Sequence, residues 1–303
     1  MYPTRFRYEA PRTLDEAIGL LSDGGDYVKV LAGGQSLVPM MKLRFAAPEM
    51  LVDINNLPGL DYHLAEADGS LHIGALCRHA DLEWSGLLRQ TQPTMAAAAP
   101  LIADPLVRNR GTLVGSLCHA DPQGDWAAVM LALGGAVVAQ GPAGRRSIQL
   151  ADFVTGPFEN ALGHDEIAVE AVVPPARGVR KGGYLKLERR VGDFATCGVA
   201  IALEIDPTGG NGGNAGNVIR AGIGLTGVGG STINAAEAAA ALTGKPLTAE
   251  SITAAADLAA AAAQPKTDHR GSAEYKRHMV HTFVVRILTG AAAPHETTAE
   301  RAA

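Results

Sequence analysis

Residues 27–44 read YVKVLAGGQSLVPMMKLR, and the change of character at Gly33-Gly34 decides how the chain is built. Val28, Val30 and Leu31 form an apolar, β-branched run that predicts a strand, and the run ends in a double glycine. Consecutive residues without Cβ let successive backbone N–H groups point into one concavity, which suits phosphate oxygens. Gly33-Gly34 fits neither G-x-G-x-x-G nor G-x-x-x-x-G-K-[ST], so the dinucleotide fingerprint and the P-loop are both excluded.

On the N-terminal side, Thr13 precedes Leu14, Ala17, Ile18 and Leu21 at helical spacing, with Gly24-Gly25 as the stop. On the C-terminal side, MLVDIN (50–55) and LHIGAL (71–76) predict strands, HADLEWSGLL (79–88) one short helix, and TMAAAAPLIA (94–103) a packed helix closed by Asp104-Pro105. A second glycine turn, Gly111-Thr112-Leu113-Val114-Gly115-Ser116, leads to a helix starting near Gly124 with Asp125 in its first turn. Residues 136–150 predict a hairpin. Pro174-Pro175 and the basic, glycine-rich 176–183 mark a domain boundary, which divides the chain into 1–177, 178–290 and a tail, 291–303, that looks frayed.

Beyond the boundary come strands at 183–190, 195–206 and 218–228, with GGNGGNAGN (209–217) as a flexible hairpin loop. Alanine-rich helices at 235–244 and 251–264 and a terminal helix at 274–290 follow. Blocks of strands followed by blocks of helices predict an α+β fold in two domains.

Composition narrows the function. The 303 residues are 47% hydrophobic and 19% charged, a globular profile, and a net charge of −5 supplies no basic excess for nucleic acid. No apolar run is long enough to span a bilayer, and the polar N-terminus lacks a secretory pattern, so a cytoplasmic protein is expected. Cys77, Cys118 and Cys197 are odd in number and far apart, without metal-ligand spacing; they read as reduced thiols and cannot build an iron–sulfur site. His63, His72, His79, His164 and His269 show no mutual ligand spacing, and His278 and His281 read as a solvated or interface face, so neither a catalytic nucleophile nor a metal site is expected.

Three stretches together, LAGGQSLVPMMKLR (31–44), LIADPLVRNRGTLVGSLCHADPQGDW (101–126) and YLKLERRVGDFATCGVA (184–200), resemble the FAD-binding medium subunit of molybdenum hydroxylases, the family of the carbon monoxide dehydrogenase medium chain and the xanthine dehydrogenase flavin domain. The likeness covers nearly the whole chain in order and spacing. It implies a two-subdomain FAD-binding domain of the vanillyl-alcohol-oxidase or PCMH type, followed by an α+β C-terminal domain of antiparallel sheet and helices.

The resemblance also assigns the FAD contacts. The pyrophosphate falls to Ala32, Gly33, Gly34, Gln35 and Ser36 and to Thr112, Gly115 and Ser116. Family members have Gly-Gly where this chain has Val114-Gly115, so an altered path is expected there. Ile102 and Ala103 match positions that pack on the dinucleotide, or else simply end a helix. His119 and Asp125 match positions near the ribityl and ribose hydroxyls, although Asp125 also suits a helix N-terminal charge. The segment from Glu166 to Ala168 matches the family's stretch under the flavin ring. Lys186 matches a lysine near the pyrimidine edge, the alternative being an exposed strand lysine, and Phe194 stands where relatives carry a Tyr over the isoalloxazine, the alternative being core.

The same resemblance implies partners: a large subunit with the molybdenum cofactor and a small one with [2Fe–2S] clusters, paired as a dimer of heterotrimers, passing electrons through FAD to an external acceptor. Any membrane contact would be peripheral, through the complex. A medium subunit of a xanthine, nicotine-type heterocycle or aldehyde dehydrogenase, a free-standing FAD oxidoreductase and a flavin-storing module are the competing readings.

Overall fold

The structure is a computed structural model and describes residues 2–208 and 216–293. Most of the expected 209–217 loop and residues 294–303 of the tail lie outside the described residues. The first layer is a small parallel sheet of β1 (Arg7–Glu9), β2 (Val28–Leu31) and β3 (Met50–Asp53), with β3 in the middle. The helix Leu14–Gly24 joins β1 to β2 and buries Ala17, Ile18 and Leu21. Its start is specified by a capping box in which Thr13 Oγ1 accepts from Glu16 N at 3.2 Å and Glu16 Oε2 accepts from Thr13 N at 3.3 Å.

The second layer is antiparallel, ordered β4 (His63–Ala65), β5 (Leu71–Gly74), β10 (Ile167–Val173), β6 (Ala136–Gly141) and β7 (Gly144–Gln149). Between β7 and β10 lies the short ribbon of β8 (Val154–Gly156) and β9 (Glu159–Asn160). The third layer is the antiparallel sheet β11 (Val179–Leu187), β12 (Cys197–Ile205), β13 (Val218–Thr226) and β14 (Ile233–Asn234). Helices Ala236–Leu242, Ala249–Ala262 and Ala273–Ala292 accompany it in the second half. The α+β expectation therefore holds in both halves.

The helix Asp125–Leu133 couples the halves. All nine of its residues are buried, as expected of a helix apolar on every side. It can lie against β13 only because that strand presents glycines: a Cβ on Gly222 would fall 1.9 Å from the Ala132 carbonyl oxygen, and one on Gly224 2.0 Å from that of Ala128. β12 is consequently buried on both faces; Ala200 and Ala202 join the core of the first half, while Val199, Ile201 and Leu203 join that of the second.

Three local expectations change. Residues 79–88 form two helices, His79–Trp84 and Gly86–Thr91, because Ser85 is extended and its hydroxyl caps the second, accepting from Leu88 N at 3.1 Å. The 94–103 helix ends at Ala98 and tightens into a 3₁₀ turn, Ala99–Leu101, where Pro100 intervenes. The segment 176–183 is linker only in part, since β11 begins at Val179. Gly182 sits there at φ 139°, where a Cβ would be 2.0 Å from the Ile201 carbonyl oxygen, so a glycine that reads as linker is a close-approach position within a strand.

Candidate functional site

β2 leaves the parallel sheet at Leu31 and runs through Ala32–Ser36 into the helix Leu37–Lys42. Gly34 takes φ 73°, a left-handed value that a side chain resists. The helix closes on this turn through Val38 N, which donates to Gly34 O at 3.0 Å, and Met40 N, which donates to Ser36 O at 3.1 Å. Among the described residues no protein acceptor faces the backbone N–H groups of Gly34, Gln35 or Ser36. Unpaired donors clustered at such a turn make it a receptor for an anion.

The second turn lies against the first. A Cβ on Gly33 would fall 2.4 Å from the Arg110 carbonyl oxygen and 2.7 Å from Gly111 Cα, so the two glycine segments are in backbone contact. From there Thr112 caps the helix Leu113–His119, its hydroxyl accepting from Gly115 N at 3.1 Å. Val114 is a buried residue inside this helix. The right-handed helix asks for no left-handed residue at 114, and the isopropyl group is spent on core packing.

His79 underlies this junction. Its N–H donates to Gly111 O at 3.0 Å, its ring stacks on Trp126, and its Nδ1 accepts from Trp126 Nε1 at 3.0 Å. Burial, with the guanidinium groups of Arg108 and Arg78 nearby, pushes its pKa down to about 4, so the imidazole is neutral at neutral pH and carries its proton on Nε2.

Ile102 and Ala103 close one side. Ala103 is held at φ 44° while Arg108 Nη1 donates to the carbonyls of Ile102 at 2.9 Å and Ala103 at 3.0 Å; the same guanidinium pairs with Glu83 at 2.7 Å. Gly192, from the second half, approaches so closely that a Cβ would be 3.1 Å from Ala103 O. These residues therefore end the 3₁₀ turn Ala99–Leu101, as the helix-end reading has it, and form a braced ledge.

Asp125 is reached from the third layer, through β11. Tyr184 and Lys186, two residues apart on β11 and so on one face of the strand, take one oxygen each: Tyr184 Oη donates to Oδ1 at 2.5 Å and Lys186 Nζ to Oδ2 at 3.1 Å. Lys186 Nζ also donates to Leu101 O at 2.9 Å and lies 3.4 Å from Glu188 Oε2. Burial pushes the Asp125 carboxyl up, against the opposing pull of Lys186 and Tyr184. Lys186 is thus no exposed strand lysine, its side chain being 1% exposed. Asp125 opens the helix Asp125–Leu133, as its helix-terminus reading has it, and each of its oxygens accepts from one protein donor.

His119 and two phenylalanines complete the boundary. The His119 ring is tilted against Phe158, centroids 5.2 Å apart, and burial holds its pKa below the usual value while Asp121 opposes. Phe158 is exposed on a left-handed backbone at φ 62°, fixed through its N–H to Ala120 O at 2.9 Å. Phe194 is 50% exposed in the loop after β11, with its carbonyl accepting from Arg270 Nη1 at 3.0 Å, which rules out core filler. Glu166 pairs with Arg146 at 2.7 Å, and Ala168 is buried in β10.

All fifteen residues singled out from the sequence as cofactor contacts (Ala32 to Ser36, Ile102, Ala103, Thr112, Gly115, Ser116, His119, Asp125, Ala168, Lys186 and Phe194) line one cavity of about 610 Å³. That volume is within the usual range for a cofactor cleft. The walls are mostly apolar, with the glycine turns at one place and the Asp125–Lys186 pair at another. Phe158, Asn160, His79 and Leu162 line it too and were missed. For Phe158 the available signal was an aromatic following Gly156-Pro157, a turn pair; for His79 there was none, because its role depends on Trp126, 47 positions away. Among the described residues no group of three or more His, Cys, Asp or Glu is arranged to hold a metal, and no helix is long and apolar enough to cross a membrane.

Residues 4–176 match the family model described as FAD binding domain in molybdopterin dehydrogenase, and residues 183–291 match the CO dehydrogenase flavoprotein C-terminal domain. The carbon monoxide dehydrogenase medium chain of Hydrogenophaga pseudoflava is 41% identical over 96% of this chain and 98% of its own length. The 6-hydroxypseudooxynicotine dehydrogenase complex subunit alpha of Paenarthrobacter nicotinovorans is 37% identical over 96% of each. Among solved structures, carbon monoxide dehydrogenase from H. pseudoflava lacking the Mo-pyranopterin moiety of its molybdenum cofactor superposes with a TM-score of 0.88 at 42% identity, covering 96% of this chain and 98% of that one.

Proposed function

From the premise that this chain belongs to the FAD-binding flavoprotein family of the molybdopterin dehydrogenases, we propose that it is the medium subunit of a heterotrimeric molybdenum hydroxylase of the carbon monoxide dehydrogenase type. The observation that carries the reading is the backbone contact between the two glycine turns, which supports a shared diphosphate site on the cavity that the other expected contacts also line. The residues present fit FAD: a glycine turn held at a left-handed Gly34 and packed on the second turn, N–H groups of Gly34 to Ser36 with no protein acceptor, and an apolar cleft lined by aromatics.

When bound, FAD supplies exchange of electrons between the partner subunit's clusters and an external acceptor. The chain's own work is to bind, orient and shield. The N–H groups of Gly34 to Ser36 and the start of the Leu113–His119 helix would hold the diphosphate, and Ile102, Ala103 and Ala168 would pack on the rings. Phe194 and Phe158, both exposed and both lining the cavity, would limit water there. Lys186 brings its charge into the site already paired with Asp125 and Glu188, so it acts as part of an ion-paired polar cluster rather than as a free cation.

Partners follow from the same reading: a large molybdenum-cofactor subunit, a small iron–sulfur subunit, and a dimer of such heterotrimers in the cytoplasm, with a quinone, NAD⁺ or oxygen as acceptor. The division into an FAD domain, 1–177, and a C-terminal domain, 178–290, belongs to this proposal. A second reading, the medium subunit of a nicotine-type heterocycle dehydrogenase, is favoured by the narrow gap between 41% and 37% identity. The test is to purify the chain alone and with its co-expressed partners, identify the released flavin by chromatography, and follow bleaching of the flavin band with carbon monoxide or an N-heterocycle. One equivalent of FAD that bleaches only in the complex is expected; turnover by the lone chain would favour a free-standing oxidoreductase.

A further inference from the structure

The two glycine turns come from different layers, and a short chain of side chains fastens them together. Ala32, in the first turn, offers its carbonyl to Asn55 Nδ2 at 2.8 Å. Asn55 Oδ1 accepts from Arg78 Nη2 at 2.7 Å, and Arg78 Nη1 donates to the carbonyl of Arg110, just before the second turn, at 2.9 Å. Arg110 O is the same atom that a Cβ on Gly33 would strike. The bracket is braced at both ends. Asp53 Oδ1 accepts from Asn55 N at 2.9 Å and Asn55 Nδ2 at 2.6 Å, and Asp81 Oδ2 accepts from Arg78 N at 3.0 Å. Arg78 also forms an isolated antiparallel bridge with Thr112, which ties its backbone to the second turn.

We infer that Asn55 and Arg78 are positioning residues for the diphosphate, setting the gap between the two turns so that both can grip one ligand. Neither residue is among those lining the cavity, so each acts through the turns. The geometry requires these residue types. Asn55 must accept and donate at once, which an amide does. Arg78 reaches its two acceptors with separate nitrogens of one planar fork, a spacing that the single nitrogen of a lysine does not reproduce. The inference rests on the FAD reading above. It goes further by locating the control of affinity in a contact outside the cavity.

The experiment uses the full chain stripped of flavin, with FAD affinity measured by fluorescence titration and melting temperature recorded with and without FAD. Arg78→Lys keeps charge and most of the packing but loses one of two carbonyl or amide partners, and Asn55→Ala removes the link. Each should weaken FAD binding about tenfold, the scale of one charge-assisted hydrogen bond. The double variant should be no weaker than Asn55→Ala alone, because both changes cut the same bracket. A purely structural role would lower the melting temperature of the flavin-free chain and leave affinity within twofold of wild type, and that result overturns the inference. If the unmodified chain binds no FAD, the reading it rests on falls instead; if the unmodified chain binds FAD and the variants match it, only the bracket falls.

Discussion

Lys186 Nζ lies 3.1 Å from Asp125 Oδ2, an ion pair that joins the two domains where both are buried. Lys186 is in addition 3.4 Å from Glu188, so one ammonium faces two carboxylates. The two ends should therefore differ in sensitivity. Asp125→Asn leaves the ammonium with Glu188 and Leu101 O and should cost about 1–2 kcal/mol. Lys186→Met strands two buried carboxylates and should cost about 3–5 kcal/mol. Urea unfolding of both variants checks the order; equal losses would mean that Glu188 does not share the charge.

His79 makes the fold sensitive to acid. Its folded pKa, near 4, is below the ordinary histidine value of about 6.5, because the ring is buried and the Arg108 and Arg78 guanidinium groups lie nearby. A depressed group contributes stability that is present above the unfolded pKa and is lost as pH falls through the folded one. Stability should then decline by about 3 kcal/mol between pH 6.5 and pH 4 on this account. Because His79 N also holds Gly111, the second turn should loosen in the same window. His79→Gln, which can keep an acceptor for the indole, should flatten the slope of unfolding free energy against pH over that interval. An unchanged slope would assign the acid lability to other groups.

Gly222 and Gly224 permit the helix Asp125–Leu133 to lie on β13, and a methyl group at either would collide with a helix carbonyl oxygen. Gly224→Ala should destabilise by at least the roughly 1–3 kcal/mol of an overpacked core. Gly230→Ala, where nothing lies within 4 Å of the new Cβ, should be nearly silent. Thermal melts of the pair separate a tight domain junction from a generic glycine effect.

These cases show what was legible in the sequence and what was not. The strand before Gly33, the capping box at Thr13 and the alanine-rich helices are local patterns, and periodicity is enough to read them. The fifteen expected contacts converge because resemblance carried their positions together with their order. The bracket of Asn55 and Arg78 was invisible: its partners are 23 and 32 positions apart in chain and meet only after two layers have packed. Gly222 and Gly224 read as ordinary strand residues for the same reason, since the helix that needs them lies about ninety residues earlier. Val114 misled because a glycine motif suggested a turn where the chain forms the first turn of a helix.

At the first turn, Gly34→Val combines a branched side chain with φ 73°, and Gly33→Ala puts a methyl group 2.4 Å from Arg110 O. Both should yield chain with little or no bound FAD, the first by forcing a branched residue into a left-handed backbone against Leu31 and Val38 and so distorting the turn, the second by prising the turns apart. Flavin absorbance per mole of purified protein is the measurement. A full equivalent in both variants would remove this turn from the site.

Phe194 tests the claim of the second domain on the cofactor. It is half exposed and its loop is anchored by backbone contacts, Arg270 Nη1 to Phe194 O and Gly192 against Ala103, none of which involves the ring. Truncating the ring should then cost the fold little, well under the loss for a buried aromatic. Phe194→Ala should nevertheless shift the spectrum of the bound flavin and alter reoxidation by the acceptor, because an aromatic plane at the mouth is lost. Reduction at the molybdenum centre, in another subunit, should be unaffected. Phe194→Tyr keeps the plane at a half-exposed position and should behave like the wild type within about twofold. Stopped-flow traces at the flavin band for both variants in the complex decide the matter. If Phe194→Ala lowers the melting temperature while spectrum and reoxidation stay as they were, the ring serves only the loop, and contact with the flavin from the second domain reduces to Lys186.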